Sequence, residues 1–382
     1  MPPGGPPDVT APQIVKITPD SGTVGVKPSE VVFSFDEVVS ERPASATTLA
    51  DLFVISPRDG IPKVSWHRDA ITVKPPHGWR ANTLYTVIML RGLADIRGNV
   101  RNSGATTFFS TGPTIPHTSL SGRVFDWVAG APAAGALVEA FVPADTLHPY
   151  VALADSTGLF ALEHIPAAGY TVRSYVDRNK NSSIDPSEPW DSMSVSLVDS
   201  VRRDLFVFVH DTVPPRIRDV AAGDSLSLRV TFDKPIDPNQ VLTARNFVIV
   251  GPPPDSALVP IKSAGPPPVD SAAPVVRPPV RPQPAQPGRP PTRARTDTTR
   301  AARPVMPRPT PISTAVIVLQ RPLAQKTAYH VRAIGIRGLL GHTGDSERVY
   351  TPPAPPPVVP AGAKAPPKPA TNPPASPPPG SP

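Results

Sequence analysis

Short apolar runs, broken by Gly, Pro, Asn and Asp, recur along most of this chain. Residues 14–17, 31–35, 52–55, 70–74, 83–90 and 106–111 each read as strands. Several alternate apolar and polar side chains, which puts one face of the strand inward and the other toward water. No long window carries a helical period, although a short helical turn suits residues 47–52. Six or seven short strands within about 100 residues is the pattern of an antiparallel sandwich. A second set follows at 120–124, 135–141, 159–162, 170–176, 192–197 and 203–209, joined by turns such as Asp155-Ser156-Thr157-Gly158.

The pattern then repeats. Residues 32–39 match 229–236, 52–55 match 246–249, 84–87 match 328–331, and 91–93 match 337–339. Repetition in the same order implies two copies of one supersecondary unit around a different middle one. The chain therefore divides into sandwiches at 13–113, 117–210 and 211–351. A Pro/Gly leader occupies residues 1–12 and a Pro/Ala-rich tail residues 352–382. A Pro/Arg-rich insert at 252–310 interrupts the third sandwich. Proline cannot fill inner strands, and this composition cannot bury a core, so insert and tail are expected to be disordered.

Composition sharpens this division. The chain has 59 prolines in 382 residues, and most fall in the insert and tail. The formal net charge is +7, yet the insert alone holds nine basic residues against Asp255, Asp270 and Asp297. The sandwiches are close to neutral and carry no basic stripe with interleaved aromatics, which argues against specific nucleic-acid recognition. There is no cysteine, so disulfides, thiol catalysis and thiolate metal sites are excluded. No apolar run reaches the length of a membrane span. Residues 1–8 carry neither the charged nor the apolar part of a signal peptide, which taken literally predicts a cytoplasmic protein.

The densest chemistry lies at residues 177–188. Asp177, Asn179, Asn181, Asp185 and Glu188 occupy positions 1, 3, 5, 9 and 12 of a twelve-residue calcium loop, with Ser183 at position 7 offering its backbone carbonyl. Ile184 suits the loop's apolar anchor. Ser182 stands where such loops usually have the glycine of the sharp turn. No helix flanks the segment, so it is a loop between strands and not an EF-hand. Three carboxylates predict calcium affinity in the range of about 10⁻⁴–10⁻³ M. The competing reading is an Asn/Asp turn cluster that caps its own backbone.

Catalytic constellations are missing from the sequence. The eight histidines are scattered, no zinc-type pair or nucleophile elbow occurs, and adjacent Asp36 and Glu37 must point to opposite faces of their strand. The expectation is a non-enzyme. Trp66, Trp79, Trp127 and Trp190 leave a carbohydrate- or polymer-binding module as an alternative, and an accessory chain of a secreted enzyme as another. The Pro/Arg insert offers a surface for anionic polymers or for grooves that read extended proline-rich peptide.

Residues 8–12, 33–37, 83–85, 95–99 and 108–112 together resemble the bacterial Ig-like domain family named after an S-layer protein, over roughly residues 10–112 and again over 211–352. Residues 121–124, 155–160 and 165–170 resemble the carboxypeptidase-regulatory, transthyretin-like sandwich. The whole arrangement is similar to bacterial surface lipoproteins. That resemblance implies a non-catalytic, exported protein of the cell surface or periplasm, with its signal and lipidated cysteine upstream of Met1. It also implies partners among envelope polymers and other surface proteins.

Overall fold

The computed structural model describes residues 8–254, 256–268 and 307–353. These residues are all β apart from two single turns of 3₁₀ helix, at Leu49–Leu52 and Ala244–Asn246. The first module comprises β1 (Ile14–Thr18), β2 (Val31–Phe35), β3 (Phe53–Ser56), β4 (Lys63–Trp66), β5 (Ala70–Lys74), β6 (Leu84–Met89) and β7 (Ala105–Ser110). They form a four-stranded sheet, β1-β2-β5-β4, and a three-stranded sheet, β3-β6-β7. Alternation in β2 turns Val31, Phe33 and Phe35 inward, where they meet Phe53, Ile55, Val87 and Phe109 of the facing sheet. Phe33 and Phe53 touch across the core with ring centroids 5.3 Å apart. Each such buried side chain contributes about 1.5–3 kcal/mol.

The middle module comprises β8 (Leu120–Asp126), β9 (Ala131–Pro132), β10 (Leu137–Val142), β11 (Asp145–Leu153), β12 (Leu159–Leu162), β13 (Ala168–Tyr175), β14 (Pro189–Leu197), β15 (Val201–Arg202) and β16 (Leu205–Val209). Its hydrogen-bonded path runs β11-β10-β13-β14-β16-β8-β12. One detail departs from a purely antiparallel sandwich: β15 and β16 pair with β8 in parallel. The chain passes very close to itself there. A side chain on Gly122 would put Cβ 1.7 Å from the Arg203 carbonyl oxygen.

The third module comprises β17 (Ile217–Asp224), β18 (Ser227–Ile236), β19 (Phe247–Val250), β20 (Ile261–Gly265), β21 (Ile312–Leu319), β22 (Tyr329–Arg337) and β23 (Thr343–Tyr350). Its sheets, β17-β18-β21-β20 and β19-β22-β23, reproduce those of the first module strand for strand. The repeated Phe-Asp pair has the same job in both. Asp36 accepts from the Gln13 N–H at 2.7 Å, and Asp233 from the Arg216 N–H at 2.7 Å, each tying the end of one strand to its neighbour. Tyr85 and Tyr329 are likewise equivalent, accepting from the N–H of Arg80 at 2.7 Å and of Ala324 at 2.9 Å.

This equivalence corrects the expected bounds of the insert, 252–310. Strand β20 falls inside them and pairs antiparallel with β21, as β4 pairs with β5. Composition concealed it because Pro260 and Pro266–Pro268 flank a five-residue strand on both sides. The extra sequence is therefore an enlarged β20–β21 connection. Residue 255 and residues 269–306 of the expected insert, residues 1–7 of the leader and 354–382 of the tail lie outside the described residues.

The contact at Gly122 gives a direct test of the parallel strand arrangement. Gly122→Ala forces a Cβ into the Arg203 backbone carbonyl, and is expected to destabilise the chain by at least about 1–3 kcal/mol in chemical denaturation.

Candidate functional site

The β13–β14 connection carries the loop. Pairing of the two strands ends at Tyr175 opposite Trp190, and the chain between them must reverse. Asx turns make that reversal. The Asp177 carboxylate accepts from the N–H of Asn181 at 3.2 Å through Oδ1 and of Ser182 at 2.7 Å through Oδ2. Asn179 Oδ1 accepts from the Asn181 N–H at 3.0 Å, and Asn181 Oδ1 from the Ser183 N–H at 2.8 Å. Lys180 and Ser182 sit in the left-handed region, at φ 60° and 57°. Ser182 thus takes the glycine-type conformation of position 6 at a cost of about 1–3 kcal/mol.

The structure brings four of the sequence-predicted residues together. Asp185 Oδ2 accepts from Asn179 Nδ2 at 2.6 Å and from Asn181 Nδ2 at 3.3 Å, while Asp177 is tied to Asn181 through the backbone. Glu188 is 2% exposed, and its two oxygens accept from the N–H of Arg178 at 2.7 Å and of Asp185 at 3.2 Å. The Arg178 N–H, opposed by burial and aided by the other N–H donors, holds this carboxyl below its ordinary range. Ser183 enters through its N–H, and Ile184 is half-buried. The side-chain oxygens of Asp177, Asn179 and Asn181 retain lone pairs after accepting backbone N–H groups, while both Asn amides turn Nδ2 toward Asp185. The loop's three carboxylates do not themselves converge; amides lie between them.

The same hairpin builds the junction with the first module. Glu139 on β10 is fully buried. Arg173 on β13 donates to its Oε2 from Nε at 3.1 Å and Nη2 at 2.5 Å, and the Tyr175 hydroxyl donates to Oε1 at 3.0 Å. Arg58, just after β3 of the first module, completes the set with an ion pair to Oε1. Burial and the Glu139 charge push the Tyr175 hydroxyl well above its ordinary range, so it remains a donor. Around this pair, the Arg58 N–H donates to the Pro149 carbonyl at 2.8 Å and the Val151 N–H to Ser56 Oγ at 2.9 Å. Arg80 pairs with Asp145 at 2.9 Å. The cleft beside the junction is lined by Val54, Arg58 and Arg91 from the first module and by Leu153, Lys180 and Asn181 from the second.

Sequence reasoning missed Glu139, because its partners come from different modules and no spacing links them. It also missed a group at the start of the chain. One oxygen each of Asp8, Glu37 and Asp95 lies within 4.8 Å of the others. Burial, and then the charges of Asp8 and Asp95, raise Glu37. Burial would raise Asp95 too, but N–H donors led by Asn99 bring it below its ordinary range. The four tryptophans do not pair with each other. Trp79 packs on Tyr85 and Phe109, Trp127 on Phe208, Trp190 on His210, and Trp66 donates to the Val39 carbonyl at 2.9 Å.

Residues 8–111 match the model of the bacterial Ig-like domain family. A search of curated proteins found no match. Among solved structures, the major pilin subunit BcpA of Bacillus cereus is similar at 11% identity and a TM-score of 0.19, covering 52% of this chain and 71% of that one. An L,D-transpeptidase from Mycobacterium smegmatis is similar at 14% identity and a TM-score of 0.20, covering 52% and 77%. Domains 1–6 of the surface layer protein SbsC are similar at 10% identity and a TM-score of 0.20, covering 92% and 55%. TM-scores this low lend no function to the chain. No helix among the described residues is long and apolar enough to cross a membrane, which says nothing of β-barrels.

Strain at Ser182 predicts a gain on relief. Ser182→Gly should stabilise the middle module by up to about 1 kcal/mol in a denaturant titration, relief of the left-handed backbone outweighing the added chain entropy.

Proposed function

We propose that the protein is a non-catalytic structural and interaction component of the bacterial cell envelope, in which calcium stiffens the junction between the first two modules. The observation that carries this reading is the loop from Asp177 to Glu188. Its oxygen-bearing side chains are pre-gathered by Asx turns, with Ser182 in the position-6 conformation despite its side chain. Asp177, Asn179, Asn181 and Asp185 would hold the ion, with the Ser183 carbonyl and Glu188 completing the set. Calcium would supply charge neutralisation and a fixed geometry, and no reaction.

The position of the loop turns that into a mechanical role. Tyr175 and Arg173, which hold Glu139, lie on the strand that leads directly into Asp177. Fixing the loop fixes the end of β13, and through Glu139 it fixes Arg58 of the first module. The family match over residues 8–111 supports a surface setting. Partners are then envelope polymers or neighbouring surface proteins. The transthyretin-like kinship of the middle module and the Ig-like kinship of the third belong to the same reading. The duplicated sheet order supports the latter.

Calcium bound to the folded loop and not to the unfolded chain adds stability by mass action. For an affinity of about 10⁻⁴–10⁻³ M, ~10 mM calcium is expected to add about 1.4–2.7 kcal/mol, read as a rise of roughly 6–15 °C in the calorimetric midpoint of the middle module. Magnesium should not reproduce the rise, and Asp177→Ala should abolish it. Glu188 sits below its ordinary value of 4.5, so its contribution is fully present above that pH. That contribution fades as the pH falls through the lowered value. The calcium effect should therefore survive from pH 7 to pH 5. A midpoint indifferent to calcium would leave Asp177–Glu188 as a polar turn.

A further inference from the structure

Strands β8 and β16 of the middle module carry a second recognition surface, made of aromatic rings. Trp127 follows β8 and packs edge-on against Phe208, with centroids 5.3 Å apart. Phe125 and Phe206, on the paired strands β8 and β16, stack at 5.6 Å. A segment from just before β21 of the third module lies across these rings. The Arg308 guanidinium sits 3.6 Å from the Trp127 ring centroid and 5.6 Å from that of Phe206. Trp127 Nε1 donates to the carbonyl of Pro309 at 2.8 Å. Thr310 then packs over Gly130, whose turn takes the left-handed φ of 62°. Trp127 is 2% exposed under this cover.

Each contact reads a different property of the segment. The ring faces read a planar cation. The indole N–H reads a backbone carbonyl that proline-rich chain leaves unpaired, because the extended polyproline form makes no internal hydrogen bonds. An aromatic surface with one indole donor is the usual chemistry for capturing such chain. The dipeptide itself is not unique to this place: Arg-Pro also occurs at 42–43, 277–278, 281–282, 289–290, 303–304 and 321–322.

We propose that the Trp127–Phe206 face is a binding site for extended Arg-Pro peptide, filled in this chain by its own Arg308-Pro309. The contact is a peptide-recognition event in cis, which straps the third module to the second and excludes free peptide of the same kind. It neither uses calcium nor depends on the proposed role of the loop.

The test uses the full chain and a capped Pro307–Pro311 peptide, Pro-Arg-Pro-Thr-Pro. Arg308→Ala opens the site, and Arg308→Gln provides a second opened chain of closer size. Titration followed by calorimetry and tryptophan fluorescence should show saturable binding to the opened chain. The same peptide with Ala for Arg should bind roughly tenfold more weakly, the ring–cation contact being lost. Wild-type chain should bind the intact peptide at least about tenfold more weakly than the opened chain, because the tethered segment competes at high effective concentration. Peptide that fails to bind either opened chain at ~10 mM, at or above the mM-range effective concentration of a tether, would overturn the proposal. So would equal binding of the Ala peptide, or equal binding to wild type.

Discussion

A carboxylate buried away from all solvent must find its charge partners inside the protein, and Glu139 finds them in two different modules. Arg173 and Tyr175 come from its own sheet, Arg58 from the first module. Taking a charge out of water costs several kcal/mol, and removing one partner of such a pair typically costs 3–5 kcal/mol. The middle module therefore gains most from its own core when the first module is docked against it. The edge strands respect the same constraint: β3 and β11 approach each other, and Ser56 and Arg58 satisfy the backbone groups of Val151 and Pro149. Two exposed edges that would otherwise invite pairing with other chains are covered by each other.

The other junction is built from different chemistry. Aromatic faces and one indole N–H hold Arg308 and Pro309 against the middle module. Lys234 and Asp211, paired at 2.6 Å, brace the linker into the third. Large added sequence is tolerated there because it enters at the β20–β21 connection, the equivalent of the tight β4–β5 hairpin. Both strands keep their pairing on either side of it. The duplicated sheets thus share topology while their surroundings differ.

The core was legible because its signal is local. Alternation in residues 31–35 and 70–74 coincides with β2 and β5, and the matched segments 229–236 and 246–249 occupy equivalent strands. Strand β4, Lys63–Trp66, was not legible: an edge strand with little buried surface has no apolar period to read. Strand β20 was hidden by flanking prolines. The loop at 177–188 was visible through residue spacing, and the turn chemistry of Asp and Asn accounts for its conformation. Glu139 gave no signal at all, and Trp127 read only as one of four tryptophans for a sugar platform. A buried Glu reads as a surface residue until the arginine from another module is in place, and Trp127 reads as core until a proline-rich segment lies on it.

The loop and the junction share one hairpin, so under the proposed function cation occupancy and module docking would belong to one mechanism. Terbium luminescence excited through tryptophan probes that occupancy at the site itself, because Trp190 lies two residues beyond Glu188. The full chain is expected to give sensitised emission that calcium displaces and that Asp177→Ala removes. Emission that is absent, or that persists undiminished in Asp177→Ala, would contradict a cation held by this loop.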